Sequence, residues 1–159
     1  MKILFVCSGN ICRSAMADAY MRKRVAESGP PVEMVDSAGT LGIAGAPASP
    51  EAIVAMAELG VDLSGHRSRG LDRSLLEHAD VIVGMTQAHL AEIEAWSDSG
   101  GRLYLLRAFE DGSDPAADAA DLPDPIGRDA TFYRETRDII VRCVDHLLEW
   151  LGRGAPTVR

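Results

Sequence analysis

Cys7-Ser8-Gly9-Asn10-Ile11-Cys12-Arg13-Ser14 puts a nucleophile and a permanent cation in one short segment, with five residues between Cys7 and Arg13. The spacing alone says little, because arginine is a common residue. The context is more telling: an apolar run comes before, small turn-prone residues lie within, and helix-forming residues follow. A loop wrapped at a helix N-terminus aims several backbone N–H groups at one point, and the helix dipole adds to them. Such a site binds an oxyanion and favours the thiolate form of a cysteine at its centre. Arg13 offers a planar fork that matches two phosphoryl oxygens. Ser14 can donate to the Cys7 sulfur, and Gly9 is expected to allow a backbone path that a Cβ would obstruct. If Arg13 were only a solvated helix residue it would oppose the dipole, unless an anion sat beside it.

The flanking elements have to hold that loop. Ile3-Leu4-Phe5-Val6 is too short for a helix and suits a buried strand over Lys2–Val6. Helix-compatible residues run from Ser14 to about Glu27, and Gly29-Pro30-Pro31 ends them. Val32–Val35 reads as a second strand, followed by a loop from Leu41 to Ser49. Ser49-Pro50-Glu51 is a helix start, with a capping serine, proline at the first position and an acid in the first turn. A third strand is expected within Ala79–Met85, a helix over Thr86–Trp96 and a fourth strand over Arg102–Arg107. Glu110–Asp124 reads as an acidic surface loop. Phe132, Thr136, Ile139, Cys143, Leu147 and Leu151 step by three or four and mark a long closing helix. Strands alternating with helices predict an α/β fold with a parallel sheet covered on both faces. In such sheets ligands bind beyond the carboxyl ends of the strands, where the chain order reverses.

Composition narrows the function. With 159 residues, one domain spanning 1–159 is expected, with a flexible tail from about residue 153. A net charge of −8 disfavours nucleic-acid binding. No apolar run reaches membrane-spanning length, and the N-terminus lacks the layout of a signal peptide, so a cytoplasmic protein without a membrane partner is expected. Three cysteines without a C-x-x-C pair and four scattered histidines give no disulfide framework and no metal site. No cofactor is implied.

The segment Val6–Ser14 resembles the signature of the low-molecular-weight protein tyrosine phosphatases. The likeness extends to Asp36-Ser37-Ala38-Gly39-Thr40, to the stretch from Gly60 through Gly65-His66-Arg67-Ser68-Arg69, and to Asp124-Pro125. It implies a Rossmann-like domain with a four-stranded parallel sheet, acting on phosphorylated proteins or peptides. The implied reaction forms a phosphocysteine on Cys7, which water then hydrolyses, with Asp124 as general acid and then base. The residues alone leave Asp111, Asp114, Asp118 and Asp121 as competing acids. The resemblance also assigns Asn10, Ser37 and His66 to a network supporting the phosphate loop, although His66 by itself could be an exposed loop histidine. It further suggests a reversible Cys7–Cys12 disulfide. A small buried residue is an equal reading of Cys12, and Cys143 lies on an apolar helix stripe.

Family members that act on phosphotyrosine usually line the pocket with aromatic residues. Here the matching walls are aliphatic, formed by Leu41 and Ile126. Asp124-Pro125-Ile126-Gly127 looks more like the protein-arginine phosphatases of the same family. Those enzymes, however, carry threonine where this chain has Ile11. Phosphotyrosine or another aryl phosphate is the leading expectation and phosphoarginine the alternative. An arsenate reductase would need relay cysteines on a later segment, yet residues 79–96 contain none. A purely phosphate-binding protein would need a damaged nucleophile or acid, and both are intact.

Overall fold

The computed structural model describes residues 1–115 and 118–154. Its centre is a four-stranded parallel sheet in the order β2-β1-β3-β4. The strands are β1 (Lys2–Cys7), β2 (Met34–Gly39), β3 (Val81–Gly84) and β4 (Leu103–Leu105). Around them lie α1 (Arg13–Ser28), α2 (Pro50–Ala57), α3 (Arg73–His78), α4 (Gln87–Trp96) and α5 (Ala130–Gly152). β1 sits between β2 and β3, so the chain order reverses at β1 and a crevice opens at its carboxyl end.

The apolar run of β1 is continuous because both of its faces are covered. Ile3, Phe5 and Cys7 enter a core beneath α1, α2 and α5, together with Met16, Met56, Ile140 and Leu147. Leu4 and Val6 point the other way, into a smaller core with Leu76 of α3 and Ile93 of α4. Ile140, Val144 and Leu147 of α5 are fully buried. Each such side chain contributes about 1.5–3 kcal/mol, more than the roughly 1 kcal/mol of a cap, so packing holds α5 in place.

Several boundaries differ from the sequence-based expectation. β2 runs on through Asp36-Ser37-Ala38-Gly39, residues that read locally as a turn. Pairing with β1 from Lys2↔Met34 to Cys7↔Gly39 overrides that preference. β4 is shorter than expected and passes into a 3-10 turn at Leu106–Phe109. Helix α3 was not expected. It is six residues long and starts where the Asp72 carboxylate accepts the Leu75 N–H at 2.8 Å. The expected cap of α2 is present, with Ser49 Oγ accepting the Ala52 N–H at 3.4 Å. Residues 110–115 and 118–124 contain no helix or strand. α5 closes in a turn at Arg153 and Gly154, and the rest of the expected tail lies outside the described residues.

Candidate active site

The carbonyls of the segment joining β1 to α1 are turned outward by their neighbours. Cys7 O accepts the Thr40 N–H at 2.9 Å, Ser8 O the Leu41 N–H at 3.0 Å, and Ile11 O the Ser49 N–H at 2.9 Å. Asn10 O accepts from His66 Nε2 at 2.6 Å, and Cys12 O accepts the Met16 N–H at 2.9 Å as the first bond of α1. In a trans peptide the N–H points opposite to the C=O. The N–H groups of Ser8, Gly9, Ile11, Cys12 and Arg13 therefore face away from those partners, an arrangement suited to holding an anion.

Asn10 makes this path possible. Its φ of 56° is the only positive value for a non-glycine residue among the described residues. Asparagine tolerates this left-handed region better than most residues. Its N–H lies 3.3 Å from Cys7 Sγ, its Nδ2 donates to Ser14 Oγ at 2.8 Å, and its Oδ1 accepts the Arg69 N–H at 3.0 Å. Ser14 Oγ is 2.9 Å from Cys7 Sγ. Because the serine oxygen already accepts from Asn10, its own proton is free to point at the sulfur. A thiolate on Cys7 would thus have two donors.

The structure relocates two expected roles. An added Cβ on Gly9 would meet Ile11 at 3.6 Å, an ordinary contact, so the protein's own packing does not require glycine there. Gly39 is the glycine that the loop needs. A Cβ at Gly39 would lie 2.5 Å from Ser8 O and 3.0 Å from Asn10 N. Ser37 gives its hydroxyl to Asp18 of α1 at 2.9 Å and makes no hydrogen bond to the loop among the described residues. It therefore supports the loop only by holding α1 against β2. Burial raises the pKa of Asp18, while the nearby Arg22 opposes the shift. His66 does bond the loop directly, through Asn10 O.

Arg13 is the first residue of α1 and is almost wholly buried, at 4% exposure. Its Nη1 donates to Leu122 O at 3.0 Å, and its Nη2 lies 3.4 Å from an Asp124 carboxylate oxygen. The anion that offsets a cation at this helix end is Asp124. The segment carrying Asp124 is docked firmly: Leu122 is fully buried, its N–H bonds Met85 O at 2.9 Å, and Asp121 accepts the Gln87 N–H at 2.7 Å. Asp124 is about half-exposed, and its Oδ1 accepts the Ile126 N–H at 3.1 Å. A cavity over the loop is lined by Cys7, Ser8, Gly9, Ile11, Cys12, Arg13, Leu41, Ile43, Asp124 and Ile126. Of the competing acids, Asp111 and Asp114 are not among these residues and Asp121 is used on α4. Leu41, Ile43 and Ile126 are among the lining residues, so these walls are aliphatic.

Cys12 is buried behind the loop, with its sulfur 3.3 Å from Ser49 Oγ and 3.4 Å from Tyr133 Oη. Burial pushes its thiol pKa up, partly opposed by those two hydrogen bonds. Cys7, Cys12 and Cys143 are all free thiols, and burial raises Cys143 to about 12. Sequence reasoning did not find a second histidine. His89 is buried on α4, with Nε2 2.9 Å from Ser8 Oγ and Nδ1 3.0 Å from Thr86 Oγ1. Its spacing from Thr86 looks like an ordinary helix start, and nothing local links it to a loop 81 residues earlier.

A family model for low molecular weight phosphotyrosine protein phosphatases matches residues 2–156. The chain belongs to that family. A probable low molecular weight protein-tyrosine-phosphatase EpsP from Ralstonia nicotianae is 38% identical over 152 residues, covering 95% of this chain and 94% of that protein. A protein-arginine-phosphatase from Geobacillus stearothermophilus is 34% identical over 151 residues, covering 94% and 95%. Among solved structures, the arginine phosphatase YwlE, a C7S mutant with a phosphorylated active-site serine, superposes with a TM-score of 0.87. It is 31% identical, and the match covers 98% of each chain. Relatives of this family are hydrolases, and members carrying both substrate names stand close to this chain.

Proposed function

We propose that this phosphatase hydrolyses phosphotyrosine, or aryl phosphomonoesters generally, in proteins through a phosphocysteine on Cys7. The observation that carries this reading is one cavity lined by Cys7, the residues of its loop, Arg13 and Asp124, with the Asn10 N–H and the Ser14 hydroxyl beside the Cys7 sulfur. In the first step the Cys7 thiolate attacks phosphorus and the bond to the leaving oxygen breaks. Asp124 gives that oxygen its proton. In the second step Asp124 takes a proton from water as the water oxygen bonds phosphorus. The phosphorus–sulfur bond breaks, phosphate leaves and the thiolate is restored. The loop N–H groups and Arg13 stabilise the charge on the equatorial oxygens in both steps. A thiolate nucleophile is best kept in a reducing compartment, which supports the cytoplasm as its place of action.

Ile11 favours an aryl substrate, since it offers no polar contact to a guanidinium and Asp124 is the only carboxylate among the lining residues. Phosphoarginine is the second reading. It is favoured by the lack of aromatic lining residues, which forgoes about 0.5–1.5 kcal/mol per stacking contact with an aryl ring. Phosphate release from matched phosphotyrosine and phosphoarginine peptides, with Cys7→Ser as blank, separates the two. Preference for phosphotyrosine is expected, and preference for phosphoarginine replaces the leading substrate. No release above the blank from either peptide overturns the catalytic reading.

Cys12 is our candidate for protecting the nucleophile. Peroxide oxidises the Cys7 thiolate to a sulfenic acid. The Cys12 thiol then attacks that sulfur, forming a disulfide and releasing water, and external thiols reverse it. Recovery from peroxide that is unchanged in Cys12→Ala argues against this role.

A further inference from the structure

Ser8, His89 and Thr86 form a part-buried chain of hydrogen bonds, centred on the buried His89, that the proposed reaction does not use. Ser8 Oγ is 2.9 Å from His89 Nε2, and His89 Nδ1 is 3.0 Å from Thr86 Oγ1. Ser8 lines the phosphate cavity, whereas His89 and Thr86 lie behind it. His89 is 2% exposed. Burial, and next the nearby Arg13, hold its pKa below the ordinary value, against weaker upward pulls from Glu92, Asp121 and Asp124. The imidazole is therefore neutral at physiological pH and carries one proton.

A neutral imidazole allows two directions for the chain. In the first, Nδ1–H donates to Thr86, Ser8 gives its proton to Nε2, and the serine turns a lone pair toward the cavity. In the second, Thr86 donates to Nδ1, Nε2–H donates to Ser8, and the Ser8 proton is free to face the cavity. The Thr86 oxygen can serve either way, since among the described residues its one other contact is the His89 backbone N–H, which it accepts at 3.3 Å as helix cap. An oxyanion in the cavity separates the two, because a lone pair facing it is repelled and a hydroxyl proton is attracted.

We propose that Thr86 and His89 are positioning residues that aim the Ser8 hydroxyl proton at the oxyanion bound over Cys7. Ser8 thereby adds a side-chain donor to the ring of backbone donors. The chain also ties the start of the loop to α4, on the side away from the His66 anchor. The inference rests on the phosphate-site reading of the loop, but its test does not need turnover.

Calorimetry with inorganic phosphate, on wild type, Ser8→Ala, Thr86→Val and the double variant, reads the chain directly. Each single variant is expected to weaken phosphate about tenfold, equivalent to about 1.4 kcal/mol. The double variant should lose no more than either alone, because both remove the same donor. Thr86→Ser, which keeps the hydroxyl, should restore wild-type affinity. Imidazole ¹⁵N spectra of the phosphate-bound wild type should place the His89 proton on Nε2, a readout that holds even if Thr86→Val lowers stability through its cap. Unchanged affinity in Ser8→Ala, losses that multiply toward a hundredfold, or a proton on Nδ1 each overturn the relay. If wild type binds phosphate with these dependences but hydrolyses no phosphopeptide, the relay stands and the catalytic reading fails.

Discussion

At the residue scale the site divides its labour between a buried cation and a half-exposed acid. Arg13 is held by Leu122 O and almost wholly buried, so its fork is fixed in place, as the proposed oxyanion role requires. Asp124 is fixed less tightly, by one hydrogen bond from its own turn and by the pairing with Arg13 at 3.4 Å. An oxyanion that takes the Arg13 fork would displace that pairing and leave the carboxyl free to serve the leaving group. That exchange is what a general acid needs. Asp124→Ala should therefore slow aryl phosphates with poor leaving groups by about 10²–10³-fold, and those with good leaving groups far less. Initial rates across a series of substituted phenyl phosphates check it. A uniform loss across the series would remove Asp124 from the proton-donating role.

At the element scale the loop takes its shape from strands and turns that lie far away in sequence. The end of β2 supplies the close approach, since a Cβ on Gly39 would lie 2.5 Å from Ser8 O, a backbone atom that cannot swing aside. Gly39→Ala should push β2 away from the loop and reduce phosphate affinity and turnover at least tenfold. Gly9→Ala, with its nearest contact at 3.6 Å, should melt within a few degrees of wild type. Comparing phosphate affinity and melting temperature across the two variants tests this assignment, and equal damage from both would refute it. The same contrast shows how far the sequence could be read. The nucleophile segment, its strand and its helix were legible because they are contiguous and each residue's preference agrees with its neighbours. Gly39, Leu122 and His89 were not, because their roles depend on tertiary approach. Gly39 looks like a turn residue, Leu122 like part of a loop and His89 like a surface helix residue until the sheet brings each to the crevice at β1. The same holds for β2, whose second half is a strand only through pairing with β1. Ser37 is tied to the loop by the family resemblance alone, and its hydroxyl bonds Asp18 of α1 instead.

At the scale of the whole molecule, the crevice gathers the ends of β1, β2 and β3 with the turns around His66 and Asp124, so titration behind the site couples to global stability. His89 is the clearest case. Its folded pKa lies below the unfolded value of about 6.5, chiefly through burial. As pH falls through about 6.5 the unfolded chain takes up a proton that the folded chain refuses. The stability that His89 contributes is therefore complete above that pH and is lost as pH falls toward the folded pKa. Asp18 runs the other way. Its folded pKa is raised by burial, so its contribution is complete at low pH and is lost as pH rises through that value. Both act on the wild-type curve, and substituting His89 alone separates them. Urea unfolding of wild type and His89→Gln between pH 7.5 and 5 (an experimental range chosen to straddle the ordinary histidine pKa, ~6.5) should show a steeper fall in unfolding free energy for wild type. His89→Gln should be less stable at the upper end of that range, where the wild-type imidazole is neutral and fully bonded, and the gap should narrow as pH falls. Parallel curves would mean that His89 takes up a proton as readily in the fold as in the unfolded chain. The buried neutral imidazole, and with it the direction of the Ser8 hydroxyl, would then be wrong.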